Sequence, residues 1–219
     1  MTITAVGFDL DETLAVPARD RGTILDDAVE AVGGPPLTRE GYLDVHGRHL
    51  TGDTRTPIFA ALLDGRDTDV EPATLAAAYR REIADALAPV PDVEPFVRRL
   101  SAEYRVGLLT NGPTRAQRDK LTTLGWSDLF DVALVTGDLD AGKPRAAAFD
   151  ALLDALESAP EETAYVGDDV DADIAGAADA GLVPIQVTFE GGPARSPRAA
   201  AHVPRERLVA ALPGVLDAL

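Results

Sequence analysis

The chain has 219 residues, 46% of them hydrophobic, and contains no cysteine. At this length roughly 70% of the unfolded chain's surface can be buried, so a core needs no staples; the apolar content excludes disorder, and the lack of cysteine removes disulfides, thiolate metal sites and cysteine nucleophiles. Thirty-seven acids against 20 bases leave a net charge of −17, which sets the chain against nucleic acid and anionic membranes as partners.

Ile3–Phe8 is short and almost wholly apolar, the pattern of a strand buried on both faces of a parallel sheet. No basic residue precedes it and it runs directly into Asp9 and Asp11, so no cleavable leader is expected. From Ala15 to Val90 no strand pattern appears. That segment instead predicts helices at Thr23–Val32, Thr38–Leu50, Pro57–Leu63 and Ala73–Leu87, punctuated by Gly33–Pro36 and Pro89–Pro91. Further apolar runs follow at Val106–Leu109, Val132–Val135, Ala164–Val166 and Val183–Val187. Helical stretches lie between and after them at Arg115–Leu124, Ala146–Leu156, Asp171–Ala180 and Pro204–Leu216, and Gly191–Ala201 reads as a loop. Alternating strands and helices predict an α/β fold, a doubly wound, mostly parallel sheet. Residues 1–14 and 91–219 would form this sheet domain, and residues 15–90 an all-helical insert over the carboxyl end of the first strand.

In such sheets ligands gather at the carboxyl ends of the strands. Those ends carry Asp9-Leu-Asp11-Glu-Thr13, then Thr110-Asn111-Gly112, then Lys143-Pro144, then Gly167-Asp168-Asp169 with Asp171 and Asp173 beyond. Asp9 and Asp11, at i and i+2 of an extended segment, address one point from one side. Two carboxylates just past a buried strand repel each other unless a cation joins them. Lysine occurs only twice in the chain, which singles out Lys143. Asp171 and Asp173 can also be read as helix N-caps, and Thr110 and Asn111 as turn formers.

Taken together these motifs resemble the haloacid-dehalogenase-like hydrolase superfamily. The match is D-x-D-x-T at Asp9–Thr13, Thr110-Asn111-Gly112, Lys143-Pro144 with Phe149 following, and G-D-x4-D at Gly167–Asp173. The resemblance implies a Rossmann-like core with a helical cap of the type inserted after the first motif. It implies Asp9 as nucleophile, giving an aspartyl-phosphate, and Asp11 as general acid and then base, its pKa raised by a neighbouring carboxylate. Mg²⁺ would be held by Asp9, Asp168 and the Asp11 carbonyl, with Asp173 as a further ligand or an outer-shell partner. Lys143 would neutralise charge, and Thr110 with the Asn111 and Gly112 amides would hold phosphate oxygens. The expected substrate is a small phosphorylated metabolite. A 2-haloacid dehalogenase, a phosphomutase and a non-catalytic regulatory module on the same fold remain alternatives.

Two patterns carry less. Gly137-x4-Gly142-Lys143 fits a phosphate-binding loop, but Pro144 follows, with neither an amide proton nor a hydroxyl. His46 and His49 have metal-like helical spacing without a third ligand and read as surface or interface histidines; Arg48 is a candidate substrate contact. Aspartate outnumbers glutamate 25 to 12, and arginine outnumbers lysine 18 to 2. An ordinary domain of this size carries a net charge nearer ~2–8, and at molar salt the Debye length falls to about 3 Å. The expectation is a cytoplasmic protein of a high-salt organism, monomeric or homodimeric.

Overall fold

The computed structural model describes residues Thr2–Leu219. In chain order its elements are β1 (Ala5–Phe8), β2 (Ala15–Pro17), α1 (Arg21–Ala31), α2 (Arg39–His46), α3 (Thr56–Leu63), α4 (Pro72–Ala86), β3 (Leu87–Pro89), α5 (Val93–Leu100), β4 (Arg105–Thr110) and α6 (Thr114–Leu124). Then come β5 (Val132–Val135), α7 (Ala146–Leu156), β6 (Thr163–Gly167), α8 (Gly176–Asp179), β7 (Val183–Thr188), β8 (Ala201–Pro204) and α9 (Leu208–Leu216). Six strands make one parallel sheet in the order β5-β4-β1-β6-β7-β8.

The pleat's period of two sorts each strand between two cores. Val6, Phe8, Val106, Leu108, Val166 and Ile185 pack with Phe96 of α5, Leu121 of α6 and Leu212 of α9. Ala5, Leu109 and Tyr165 pack with Phe149, Leu152 and Leu156 of α7. Covering both faces is why every residue of β1 and of β6 is buried, and why these strands read as unbroken apolar runs. Each large side chain so buried contributes about 1.5–3 kcal/mol.

Helices α1–α4 share a third, separate core of Ile24, Leu25, Tyr42, Phe59, Leu75, Tyr79 and Ile83, among others. Spacings of three and four residues put Leu75, Tyr79, Ile83 and Ala86 on one buried face of α4. Caps set two of the helix starts. Asp20 Oδ1 accepts from the Gly22 and Thr23 amides ahead of α1, and Thr38 Oγ1 from the Gly41 amide ahead of α2. Among the described residues no helix is long and apolar enough to cross a membrane.

Five elements depart from the expected pattern. Strands β2 and β3 pair antiparallel, Ala15 opposite Pro89 and Pro17 opposite Leu87, so a two-stranded ribbon connects the helices to the sheet. Helix α5 was not expected, and neither was β8, which extends the sheet at its edge between the expected loop and the expected last helix. Helix α2 stops at His46 instead of continuing to Leu50.

Candidate active site

The carboxyl ends of β1, β4 and β6 open into a cavity of about 460 Å³ whose other walls come from α1, α2, the Arg55 turn before α3, and α4. At its floor Lys143 is 2% exposed. Its Nζ donates to Asp9 Oδ1 at 2.7 Å, to Asp173 Oδ1 at 2.7 Å and to Tyr165 Oη at 2.8 Å. All three ammonium protons are thereby used. Tyr165 in turn donates to the Leu109 carbonyl at 2.8 Å, fixing the lysine against β4. Asn111 holds the lysine's backbone from the other side: its Nδ2 donates to the Lys143 carbonyl at 3.0 Å and its Oδ1 accepts from the Lys143 amide at 2.9 Å.

Asp9, Asp168 and Asp173 each bring a carboxylate oxygen within 4.8 Å of the others. Burial and the neighbouring carboxylates push Asp168 up to about 9. Burial raises Asp9 to about 7 against the opposing pull of Lys143, and burial raises Asp173 too, with Lys143 again opposing. Lys143 serves two of the three acids; Asp168 accepts only a 3.2 Å bond from Thr13 Oγ1 among the described residues. Three hard oxygen donors, short of positive charge and facing a cavity, fit a hard divalent cation and not a thiophilic one. Gly167 makes this closeness possible. A Cβ there would lie 2.4 Å from Asp173 Oδ2, so only glycine lets the last acid fold back beside β6.

Asp11 differs from expectation. Its carboxylate turns away from the three acids and takes both protein cations on its side: Lys120 Nζ at 2.7 and 2.6 Å and Arg21 Nη2 at 3.0 Å, with Gln117 Nε2 at 3.0 Å. Burial alone would raise its pKa, but Lys120 and Arg21 hold it well below the usual carboxylate range. The expected rise, from a neighbouring carboxylate, is corrected. Lys120 is 3% exposed, and burial brings it down to about 8 despite Asp11. Arg21 also binds Glu12 Oε1, while Arg205 reaches Glu12 from beyond β8 through its carbonyl at 3.1 Å and Oε2 at 3.0 Å.

Thr110 lines the cavity and its Oγ1 accepts from Gln117 at 2.6 Å. Gly112 does not line it: its amide donates to Thr136 Oγ1 at 3.0 Å, so the phosphate contact expected of that amide is corrected. Asp169 Oδ1 accepts from the amides of Asp171 and Ala172, which makes Asp169 the cap that Asp171 or Asp173 was expected to be. His46 is half-buried and lines the cavity, stacked on Tyr42 with ring centres 5.7 Å apart. Arg48 is exposed and paired with Asp44. Lys120, Arg21, Gln117, Tyr165 and Arg55 were not singled out in the sequence. Lys120 carried a usable signal, being the only other lysine.

Comparison with known proteins follows the same lines. A glyceraldehyde 3-phosphate phosphatase of Methanopyrus kandleri is 30% identical over 195 residues, 84% of either chain. A phosphoglycolate phosphatase of Cereibacter sphaeroides is 34% identical over 189 residues, 79% of this chain and 80% of that one. The crystal structure of an HAD phosphatase from Thermococcus onnurineus superposes with a TM-score of 0.70 at 26% identity, covering 98% of each chain. Residues 3–181 match the haloacid dehalogenase-like hydrolase family, and the chain belongs to it.

Proposed function

We propose that the protein is a Mg²⁺-dependent phosphomonoesterase that works through an aspartyl-phosphate on Asp9. The observation that carries this reading is the floor of the cavity, where Lys143 ties Asp9 to Asp173 beside Asp168 while Asp11 stands two residues from Asp9 in the same cavity. Asp9, Asp168 and Asp173, with the Asp11 carbonyl, would hold the ion. Bound there, Mg²⁺ supplies the positive charge that keeps these carboxylates ionised and offsets that of the phosphate.

Asp9 attacks phosphorus, the bond to the ester oxygen breaks, and the departing oxygen takes its proton from Asp11. Water then attacks the acyl phosphate, Asp11 takes the proton back, and the bond to Asp9 breaks, regenerating its carboxylate. Lys120 and Arg21 favour the carboxylate form of Asp11, the form that the second half requires. A phosphate dianion arriving beside it competes for Lys120 and Arg21 and adds like charge, and both effects favour the protonated form needed in the first half. Thr110 and the Asn111 amide contribute at the β4 end. Residues 15–90 act as a cap hinged on the β2–β3 ribbon over the core of residues 1–14 and 91–219. The substrate is a small phosphorylated compound, and the acidic surface is adapted to high salt.

Asp9→Asn is expected to abolish hydrolysis and leave no phosphorylated protein after rapid quench. Asp11→Asn is expected to slow turnover of alkyl phosphates by about 10²–10⁴-fold and to accumulate phosphoprotein by mass spectrometry. The loss should be smaller for nitrophenyl phosphate, whose leaving oxygen needs no proton. Asp11→Asn also leaves Lys120 buried without its carboxylate, so the comparison requires a variant verified as folded by circular dichroism. Undiminished alkyl-phosphate turnover in Asp11→Asn, or full activity in excess chelator, contradicts the reading.

A further inference from the structure

At the core end of the cavity every cation is matched: Lys143 by Asp9 and Asp173, Lys120 by Asp11, and Arg21 by Asp11 and Glu12. The helical end is not matched. Arg55 is 7% exposed there, its Nε donates to Tyr42 Oη at 3.0 Å, and its guanidinium carbon lies 5.4 Å from the centre of the Tyr79 ring. Its Nη1 is buried without a hydrogen-bond partner, and so is Nδ1 of His46. Arg39 stands beside them, 5.3 Å from the Tyr42 ring centre. Among the described residues neither arginine has a carboxylate partner, in a chain with 37 acids available.

A buried guanidinium without a counter-ion is costly, and an orphaned N–H adds to the cost. Faces of Tyr42 and Tyr79 can orient the guanidinium plane and shield it from water, but they carry no charge to neutralise it. Arg55 lines the same cavity as Asp9, so the missing negative charge fits on a ligand there. We propose that Arg55, with Arg39 and His46, forms a second anion subsite, and that the substrate is a phosphomonoester bearing another anionic group, carboxylate or phosphate, at its far end. The inference rests on the phosphatase reading for which end of the substrate lies at Asp9. The planar fork of a guanidinium suits either anion through two parallel N–H bonds. Discrimination works in both directions, because a substrate with a neutral far end leaves Arg55 unpaired in a closed site.

The test measures binding without turnover. Non-hydrolysable ω-carboxyalkyl phosphonates, with two to five carbons, are titrated by calorimetry in Mg²⁺ buffer against ω-hydroxyalkyl phosphonates of equal length. The best acid is expected to bind about 10–100-fold tighter than its neutral counterpart, the range that charged hydrogen bonds supply. A parallel series of α,ω-bisphosphonates tells whether the far group is carboxylate or phosphate. In Arg55→Met the preference should fall below about threefold, and Arg55→Lys should restore part of it. Equal affinity for acid and neutral ligands at every length in the parent protein overturns the proposal, and so does a preference unchanged in Arg55→Met. Should Arg55→Met fail to fold, Arg55→Gln replaces it and is read by the same threefold criterion. Failure of the phosphatase reading has a different signature: the matching phosphate esters would bind and remain unhydrolysed.

Discussion

At the scale of single residues, the scarcity of lysine is the most economical clue in the sequence, and both lysines prove to be in the cavity. Lys143 was legible because it sits in a motif at a strand end. Lys120 was not, because it lies midway along α6, and only the fold brings it to Asp11. His46 was misread for a related reason: its i, i+3 partner His49 drew the spacing argument, while its actual setting depends on Tyr42 stacking across one turn. That setting has a pH signature. Burial, then Arg55 and Lys120, lower His46 from 6.5 to about 4. A group with a depressed folded pKa binds fewer protons folded than unfolded, so its contribution is fully present above pH 6.5 and is lost as pH falls toward 4. Relative to a His46→Phe variant, the parent is expected to lose on the order of 2–3 kcal/mol over that window. Urea unfolding of both proteins at several pH values checks this; parallel pH profiles would show that the imidazole is not held neutral.

At the scale of elements, the apolar strands of the sheet were readable, the edge strand β5 included, while β8 and the β2–β3 ribbon were not. Strands β1, β4, β6 and β7 are enclosed by helices, so burial alone dictates apolar runs. β8 is an edge strand of four residues in which only Val203 is buried, and β2 and β3 have three residues each, with a proline in both. Nothing periodic survives at that length. Helix α5 does carry the helical spacing, with Val93, Phe96, Val97 and Leu100 buried, but Pro91 and Pro95 masked it. Contacts between elements were equally hidden, and one of them holds the site together. A Cβ on Gly176, at the start of α8, would lie 2.7 Å from Phe149 Cε2 and 2.9 Å from Pro144 Cα. Gly176 therefore sets how closely α8 approaches the segment that carries Lys143. Gly176→Ala is expected to cost about 1–3 kcal/mol by overpacking, and to reduce activity beyond what the lost stability explains, because Pro144 is backbone-adjacent to Lys143. Thermal melts alongside turnover at a temperature where both proteins are fully folded separate the two effects. A variant with parent-like activity there would mean that the loop accommodates the methyl group without moving the lysine.

At the scale of the whole molecule, seventeen excess negative charges are spread over 9995 Å² of surface. The interior pairs are beyond the reach of salt: Lys143 with Asp9 and Asp173 is almost fully enclosed, and screening acts weakly on such contacts. The exposed pairs, such as Arg48 with Asp44 and Arg98 with Glu94, are worth little at any ionic strength. What salt changes is the sum of long-range repulsions among unpaired carboxylates. Between 0.1 M and 1 M the Debye length shrinks from about 10 Å to about 3 Å, which removes most of that sum. Stability should therefore rise steeply with KCl at low concentration and flatten as screening saturates, whereas an excluded-cosolute effect would keep growing with concentration. The same field opposes the approach of an anionic substrate, so kcat/KM should also climb over the low-salt range while kcat, set inside the shielded cavity, moves less. Melting curves and initial rates between 0.05 M and 2 M KCl test both halves. Equal melting temperatures at 0.1 M and 2 M would show that surface repulsion is no part of this protein's stability, and the high-salt reading would go with it.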